Sequence, residues 1–101
     1  MSARQVLRYL PAAQDDLLAI LDYIAQDSPV RAEKFVADVE DRIGLLERNP
    51  LLGRIPRHPR LRESGYRVLI VQSYLAFYMI RGNTIEIHRV VHGSRNLDQL
   101  T

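Results

Sequence analysis

Apolar and polar positions change period along the chain, and the changes mark its elements. Val6-Leu7-Arg8-Tyr9-Leu10 is a short β-rich run that stops at Pro11. Leu17, Ile20, Leu21 and Ile24 then recur at i, i+3, i+4 and i+7, which predicts an amphipathic helix over residues 12–26. Pro11 suits its first position, where no N–H partner is needed, and Asp15 and Asp16 complement the dipole near its start. Asp27-Ser28-Pro29 breaks the pattern and restarts it: Ser28 can cap a second helix and Pro29 fits its first turn. Ala32, Phe35, Val36, Val39, Ile43 and Leu46 form that helix's apolar stripe, and Asn49-Pro50 ends it. Two helices joined so tightly make a helical hairpin.

From Gly65 the period shortens. Tyr66–Val71, Tyr74–Arg81 and Thr84–His92 are rich in Val, Ile, Tyr and Phe and read as three strands. Gln72-Ser73 and Gly82-Asn83 are two-residue connections, and Gly82-Asn83 is the stronger hairpin signal because both residues tolerate positive φ. The predicted order is strand-helix-helix-strand-strand-strand in a single domain over residues 1–101. It is an α+β, two-layer fold: a helical hairpin packed on a mostly antiparallel sheet. Between hairpin and strands, Pro50, Gly53, Pro56 and Pro59 punctuate a segment through which Arg54, Arg57, Arg60 and Arg62 alternate, read as an ordered basic loop.

The predicted sheet has an unusual second face. Val68 and Ile70 oppose Leu69 and Val71, and Leu75, Phe77 and Met79 oppose Ala76 and Ile80, so both faces are apolar where one is commonly wet. Two readings stay open: another chain covers the second face, or the loop at 50–64 folds over it.

Charge sharpens this picture. The 101 residues carry 14 Lys+Arg and 12 Asp+Glu, yet the halves differ. Residues 1–50 sum to −3 and residues 51–101 to +5, and Lys34 is the only lysine. An acidic half joined to an arginine-rich half predicts one face that prefers an acidic partner. With no Cys there is no disulfide, thiolate metal site or Cys nucleophile. No stretch approaches the roughly 20 apolar residues of a membrane span. The first residues lack the apolar core of a signal peptide, so a cytoplasmic location with no membrane partner is expected.

Candidate chemistry is sparse. There is no glycine-rich phosphate loop, nucleophile elbow or helical pair of zinc-binding histidines, and no metal or cofactor is expected. The most suggestive polar set is the last strand and its exit: His88, Arg89, His92, Ser94, Arg95 and Asn96. Strict alternation places Arg89 with Ile85, Ile87 and Val91, so it needs an acidic or carbonyl partner if buried. Such an Arg either bridges sheet to helix or meets a phosphate or a partner's carboxylate. His92 has the titration range of a general acid or base, and Arg95 could contact phosphate; both also fit plain surface roles.

Several runs together resemble the ParE/RelE superfamily of bacterial type II toxins. They are Ala12–Ile24 (AAQDDLLAILDYI), Ala32–Phe35 (AEKF), Asn49–Arg54 (NPLLGR), Gly65-Tyr66-Arg67, Tyr74–Ile80 (YLAFYMI) and Arg89–Asn96 (RVVHGSRN). The resemblance implies a small strand-helix-helix-strands fold and one of two activities. RelE-like members cleave mRNA on the ribosome; ParE-like members poison DNA gyrase with its DNA broken; an antitoxin holds both inactive. The RelE-like pattern places an Arg after a Tyr early in the third strand, and here Tyr74 is followed by Leu75, which cannot stabilise a phosphate. It also tends to end with several basic residues and a Tyr, whereas only Arg95 follows the last strand here. The ending is similar to the ParE-like branch. The expectation is therefore a toxin that is not an enzyme, docking on gyrase through a polar surface of Arg67, Arg89, His92 and Arg95, of which Arg67 and Arg89 serve equally well as antitoxin contacts. An antitoxin, ParD-like or of another class, is expected to bury the second sheet face at Leu75 and Phe77. DNA is met only indirectly, through gyrase or antitoxin. The alternatives are a ribosome-dependent endoribonuclease using His92, Arg89 and Arg67, or a member that has lost its toxicity.

Overall fold

The structure is a computed structural model in which residues 4–94 are described. The short strand β1 (Val6–Tyr9) leads into helix α1 (Pro11–Asp27), and helix α2 (Pro29–Gly44) follows after one residue. That residue is Ser28, whose extended backbone breaks the helix and whose hydroxyl accepts the Arg31 N–H at 3.2 Å. Pro29 then occupies the first turn, where its missing donor costs nothing. A 3₁₀ turn at Leu45–Glu47 ends the hairpin and tethers β1, since Glu47 O accepts the Gln5 N–H at 2.8 Å.

The remaining elements are helix α3 (Pro59–Glu63) and strands β2 (Arg67–Val71), β3 (Tyr74–Arg81) and β4 (Thr84–His92). The basic loop expected at 50–64 therefore contains a helical turn. Pro59 starts it at a fixed helical φ, and its purpose is Leu61, which is fully buried. The four strands lie in the order β1-β4-β3-β2, with β1 parallel to β4 and the other pairs antiparallel. Of the turn residues, Gly82 has φ +60° and Gln72 φ +54°, while Asn83 keeps a negative φ. Positive φ is thus used only at the first position of each connection.

The α1–α2 hairpin covers one sheet face. Phe35, Val39 and Ile43 of α2 and Ala13 and Ile24 of α1 pack on Leu69, Val71, Ala76, Tyr78, Ile85, Ile87 and Val90. The other face carries a smaller cluster of Leu61, Val68, Phe77 and Val91, flanked by Tyr66 and Leu75. This decides between the two coverings left open above. The chain's own α3 and Tyr66 cover most of the second face, so no partner is needed to bury Phe77; of the apolar strand residues named for that face, Ile70 is exposed.

Strict alternation fails in β4. Phe77 pairs with Arg89 and Tyr78 with Ile87, so His88 is an extra residue, a β-bulge. Past the bulge the phase shifts by one. Val90 joins Ile85 and Ile87 in the helix-side core, and Val91 falls on the α3 side. Grouping Arg89 and Val91 with the two isoleucines is therefore corrected. Helix α1 also runs one residue longer at each end than expected. Asp15 and Asp16 lie beyond its first turn, and Asp16 serves the sheet rather than the dipole.

Candidate functional site

Arg89 is placed by a vacancy in the sheet. Strand β1 ends at Tyr9, and its last bond to β4 comes from Leu10 N–H to Ile87 O at 3.0 Å. Beyond it the outer edge of β4 has no strand partner. Asp16 fills this gap from α1. Its carboxylate accepts Arg89 Nε at 2.7 Å, Arg89 Nη2 at 3.0 Å and the Val90 N–H at 2.9 Å. The bidentate hydrogen bond outweighs the burial penalty and holds the guanidinium's proton more tightly than usual. Arg89 is thus a bridge from sheet to helix, with its planar fork turned inward.

Arg67, at the start of β2, is also occupied. Its Nη1 donates to Gly53 O at 2.7 Å and, more weakly, to Leu51 O at 3.5 Å. His92 is exposed at the end of β4. Its Nδ1 accepts the Ser94 N–H at 3.2 Å and lies 2.8 Å from Ser94 Oγ, while the ring stands edge-on to Tyr74. Leu75 and Phe77 lie two residues apart on the α3 side of β3. They floor a shallow groove of about 370 Å³ whose rim includes Arg54, Arg57 and His58. Arg95 lies outside the described residues, as does the tail expected at 96–100. The set is therefore not gathered as an acid–base pair with cations: Arg67 faces a loop carbonyl, Arg89 a carboxylate, and His92 its own turn.

Three features escaped the sequence pattern. The first is an open apolar groove of about 410 Å³ between the hairpin helices, lined by Leu17, Leu18, Leu21, Val36 and Val39, with Tyr9 and Glu40 at its border. Burial first, then the charge of Glu40, pushes the Tyr9 phenol up to about 12, so it stays a hydrogen-bond donor across the ordinary pH range. The signal was present in Leu17-Leu18 and Phe35-Val36, where two adjacent apolar residues on a helix cannot both face the core. The second is a polar chain on β4. Tyr66 Oη lies 3.1 Å from His88 Nδ1, His88 Nε2 lies 3.2 Å from Glu86 Oε1, and Arg81 Nε donates to the same oxygen at 2.9 Å. The bond from His88, with Arg81 beside it, holds the Glu86 carboxylate below its usual range. Alternation from Ile85 and Ile87 puts Glu86 and His88 on the Tyr66 side of the sheet, but that His88 meets Tyr66, 22 positions away, has no mark in the sequence.

The third is the loop after the hairpin. The Tyr78 hydroxyl donates to Pro50 O and accepts the Gly53 N–H, both at 2.8 Å. A Cβ on Gly53 would lie 2.5 Å from that hydroxyl oxygen, which is why glycine stands there. Among the described residues no group of three or more His, Asp or Glu is placed to hold a metal ion, and no helix is long and apolar enough to cross a membrane.

A helical hairpin on one face of this mixed sheet, with a short helix on the other, is the architecture of the ParE/RelE superfamily of toxins. The chain belongs to the family described as the ParE toxin of the type II toxin–antitoxin system parDE, whose model matches residues 7–97. Among solved structures it is similar to the chromosomal ParDE system from P. aeruginosa, at 28% identity and a TM-score of 0.71, covering 90% of this chain and 98% of that one. It is also similar to the toxin–antitoxin complex RelBE2 from Mycobacterium tuberculosis, at 27% identity and a TM-score of 0.60, covering 88% of this chain and 98% of that one. No curated protein matches significantly. The protein is a toxin of a type II toxin–antitoxin system.

Proposed function

We propose that this toxin acts by binding, that its target is DNA gyrase held with cleaved DNA, and that a ParD-like antitoxin neutralises it. The observation that carries the reading is the state of the residues a nuclease would need. Self-cleavage of RNA requires a base for the 2′-hydroxyl, an acid for the leaving oxygen and free cations on the phosphate. Leu75 stands where the related nucleases carry an Arg. The Arg89 fork is closed on Asp16, and Arg67 is turned to Gly53 O. His92 has no carboxylate or arginine bonded to it among the described residues. What the surface does offer is area and charge. The apolar groove between α1 and α2 has the form to seat the apolar face of an antitoxin helix. The groove over Leu75 and Phe77, with Arg54 and Arg57, suits an acidic extended segment. Location in the cytoplasm follows from such a target.

The test is induction without antitoxin, followed by parallel assays of gyrase and of mRNA. The expected outcome is loss of supercoiling, accumulation of gyrase-linked broken DNA and intact mRNA. Ribosome-dependent mRNA cleavage abolished by His92→Ala would replace this reading with the endoribonuclease one, and healthy growth would mark a member without toxicity.

A further inference from the structure

The loop between the 3₁₀ turn and α3 divides its residues between inside and outside. Gly53 and Pro56 are buried and Pro50 is half-buried. Leu51, Leu52 and Ile55 face outward at 65%, 45% and 56% exposure, with exposed Arg54 and Arg57 among them. Large aliphatic side chains so exposed within five residues gain nothing from the fold that displays them. Yet the backbone that carries them is held firmly. The buried Tyr78 hydroxyl ties Pro50 O to Gly53 N–H, and Arg67 takes Gly53 O. Arg54 and Val68 exchange both backbone bonds at 2.9 Å, and Leu52 N–H closes a turn on Asn49 O at 3.0 Å. The loop is pinned to β2 and β3 by its polar groups, and its apolar groups are left pointing out.

A pre-ordered loop loses little conformational freedom when it is buried, so its aliphatic side chains are suited to act as anchors in a partner's pockets. The arginines between them select the surroundings of those pockets. A nucleic acid would use Arg54 and Arg57 but not the leucines, since phosphate contacts need only the cations. An apolar socket rimmed by carboxylates uses both. We propose that the loop from Leu51 to Arg57 is the anchor by which this toxin seats on its protein target, and that the target presents such an acidic-rimmed apolar socket. This rests on the reading that the toxin acts by binding a protein, and it names the surface that does so.

The test compares wild type with the double variant Leu51→Ser/Ile55→Ser, whose exposed positions leave the core intact, and with Tyr78→Phe, which keeps the ring but releases the loop. Thermal unfolding checks the fold. The readouts are inhibition of supercoiling by purified host gyrase, growth arrest on induction, and mass by sedimentation. The expected result is an at least tenfold rise in the double-variant concentration needed to inhibit gyrase, a smaller rise for Tyr78→Phe, and an unchanged mass. Undiminished potency of the double variant overturns the proposal. If wild type leaves gyrase untouched, the gyrase reading fails separately and growth arrest decides. Arrest lost in the double variant then supports the anchor, while arrest retained, or absent from wild type, overturns it. A wild-type dimer that the substitutions dissociate would make the loop a self-interface. Loop-dependent binding to phosphatidylglycerol vesicles would make it a membrane contact. Either result overturns the proposal as well.

Discussion

Asp16 carries more of the architecture than its place in the second turn of a helix predicts. It closes the ladder where β1 runs out, satisfying a backbone N–H that no strand reaches, and it neutralises the one arginine of β4. Removing the carboxylate leaves both groups without their partner in a half-buried site. Asp16→Ala is therefore expected to cost about 3 kcal/mol in urea denaturation, within the range for breaking a charged, hydrogen-bonded pair. Arg89→Ala should cost less, because the carboxylate keeps the Val90 N–H. The double substitution should fall short of the sum of the two, since both disrupt one network. Additive effects would show that Arg89 is not a structural bridge. The same logic separates the two arginines from the docking role expected of them. Their guanidinium groups are engaged inside the molecule, so substituting either perturbs the fold as well as the surface.

At the scale of elements, the hairpin depends on one residue. The chain between α1 and α2 is Ser28 alone, which leaves one helix in extended backbone and caps the next with its hydroxyl. Asp27 and Arg31 add a surface ion pair at 3.2 Å across the same junction, both side chains largely exposed and of little energetic weight. Ser28→Ala is expected to lower stability by about 1 kcal/mol, the typical value of a helix N-cap, with Ser28→Asp close to wild type in the same denaturation assay. The hairpin, the strands and both two-residue turns were legible because each follows from a local period or a local φ requirement. Helix α3 was not. Five residues hold too short a pattern to show a period, and the segment's Pro and Arg content reads as loop. The bulge at His88 was illegible for a different reason: it is an irregularity in how β4 pairs with β3, and no residue type in either strand marks it.

The whole molecule keeps its charges apart. The −3 of residues 1–50 lies largely on the outward faces of the hairpin, and residues 51–94, which sum to +5, carry theirs on the loop, α3 and the sheet. A field arranged this way accelerates encounter with an acidic partner and is screened by salt. If a cognate antitoxin meets the basic side, its association rate in stopped flow should fall by roughly tenfold between low and high ionic strength, with dissociation changing less. A rate insensitive to salt would place the encounter on the apolar hairpin groove instead. The covered second sheet face matters here too. With Phe77 already buried under Leu61 and Tyr66, partner contacts shift to what stays open: the hairpin groove, the rim at Arg54 and Arg57, and the loop ahead of it.

By itself the sequence determined the fold class, the element order, the charge division and the resemblance that led to the toxin family. Each is carried by local periodicity or by residues read in order. Only the tertiary structure decided what each candidate residue touches. Arg89 could have been a phosphate ligand or a bridge, and strand alternation even assigned it the wrong neighbours. The choice was made by Asp16, 73 positions away in the chain, and by the extra residue in β4 that shifts everything beyond it. Hydrogen bonds and burial are properties of space, and a pattern along one chain specifies them only where the partners are also neighbours in sequence.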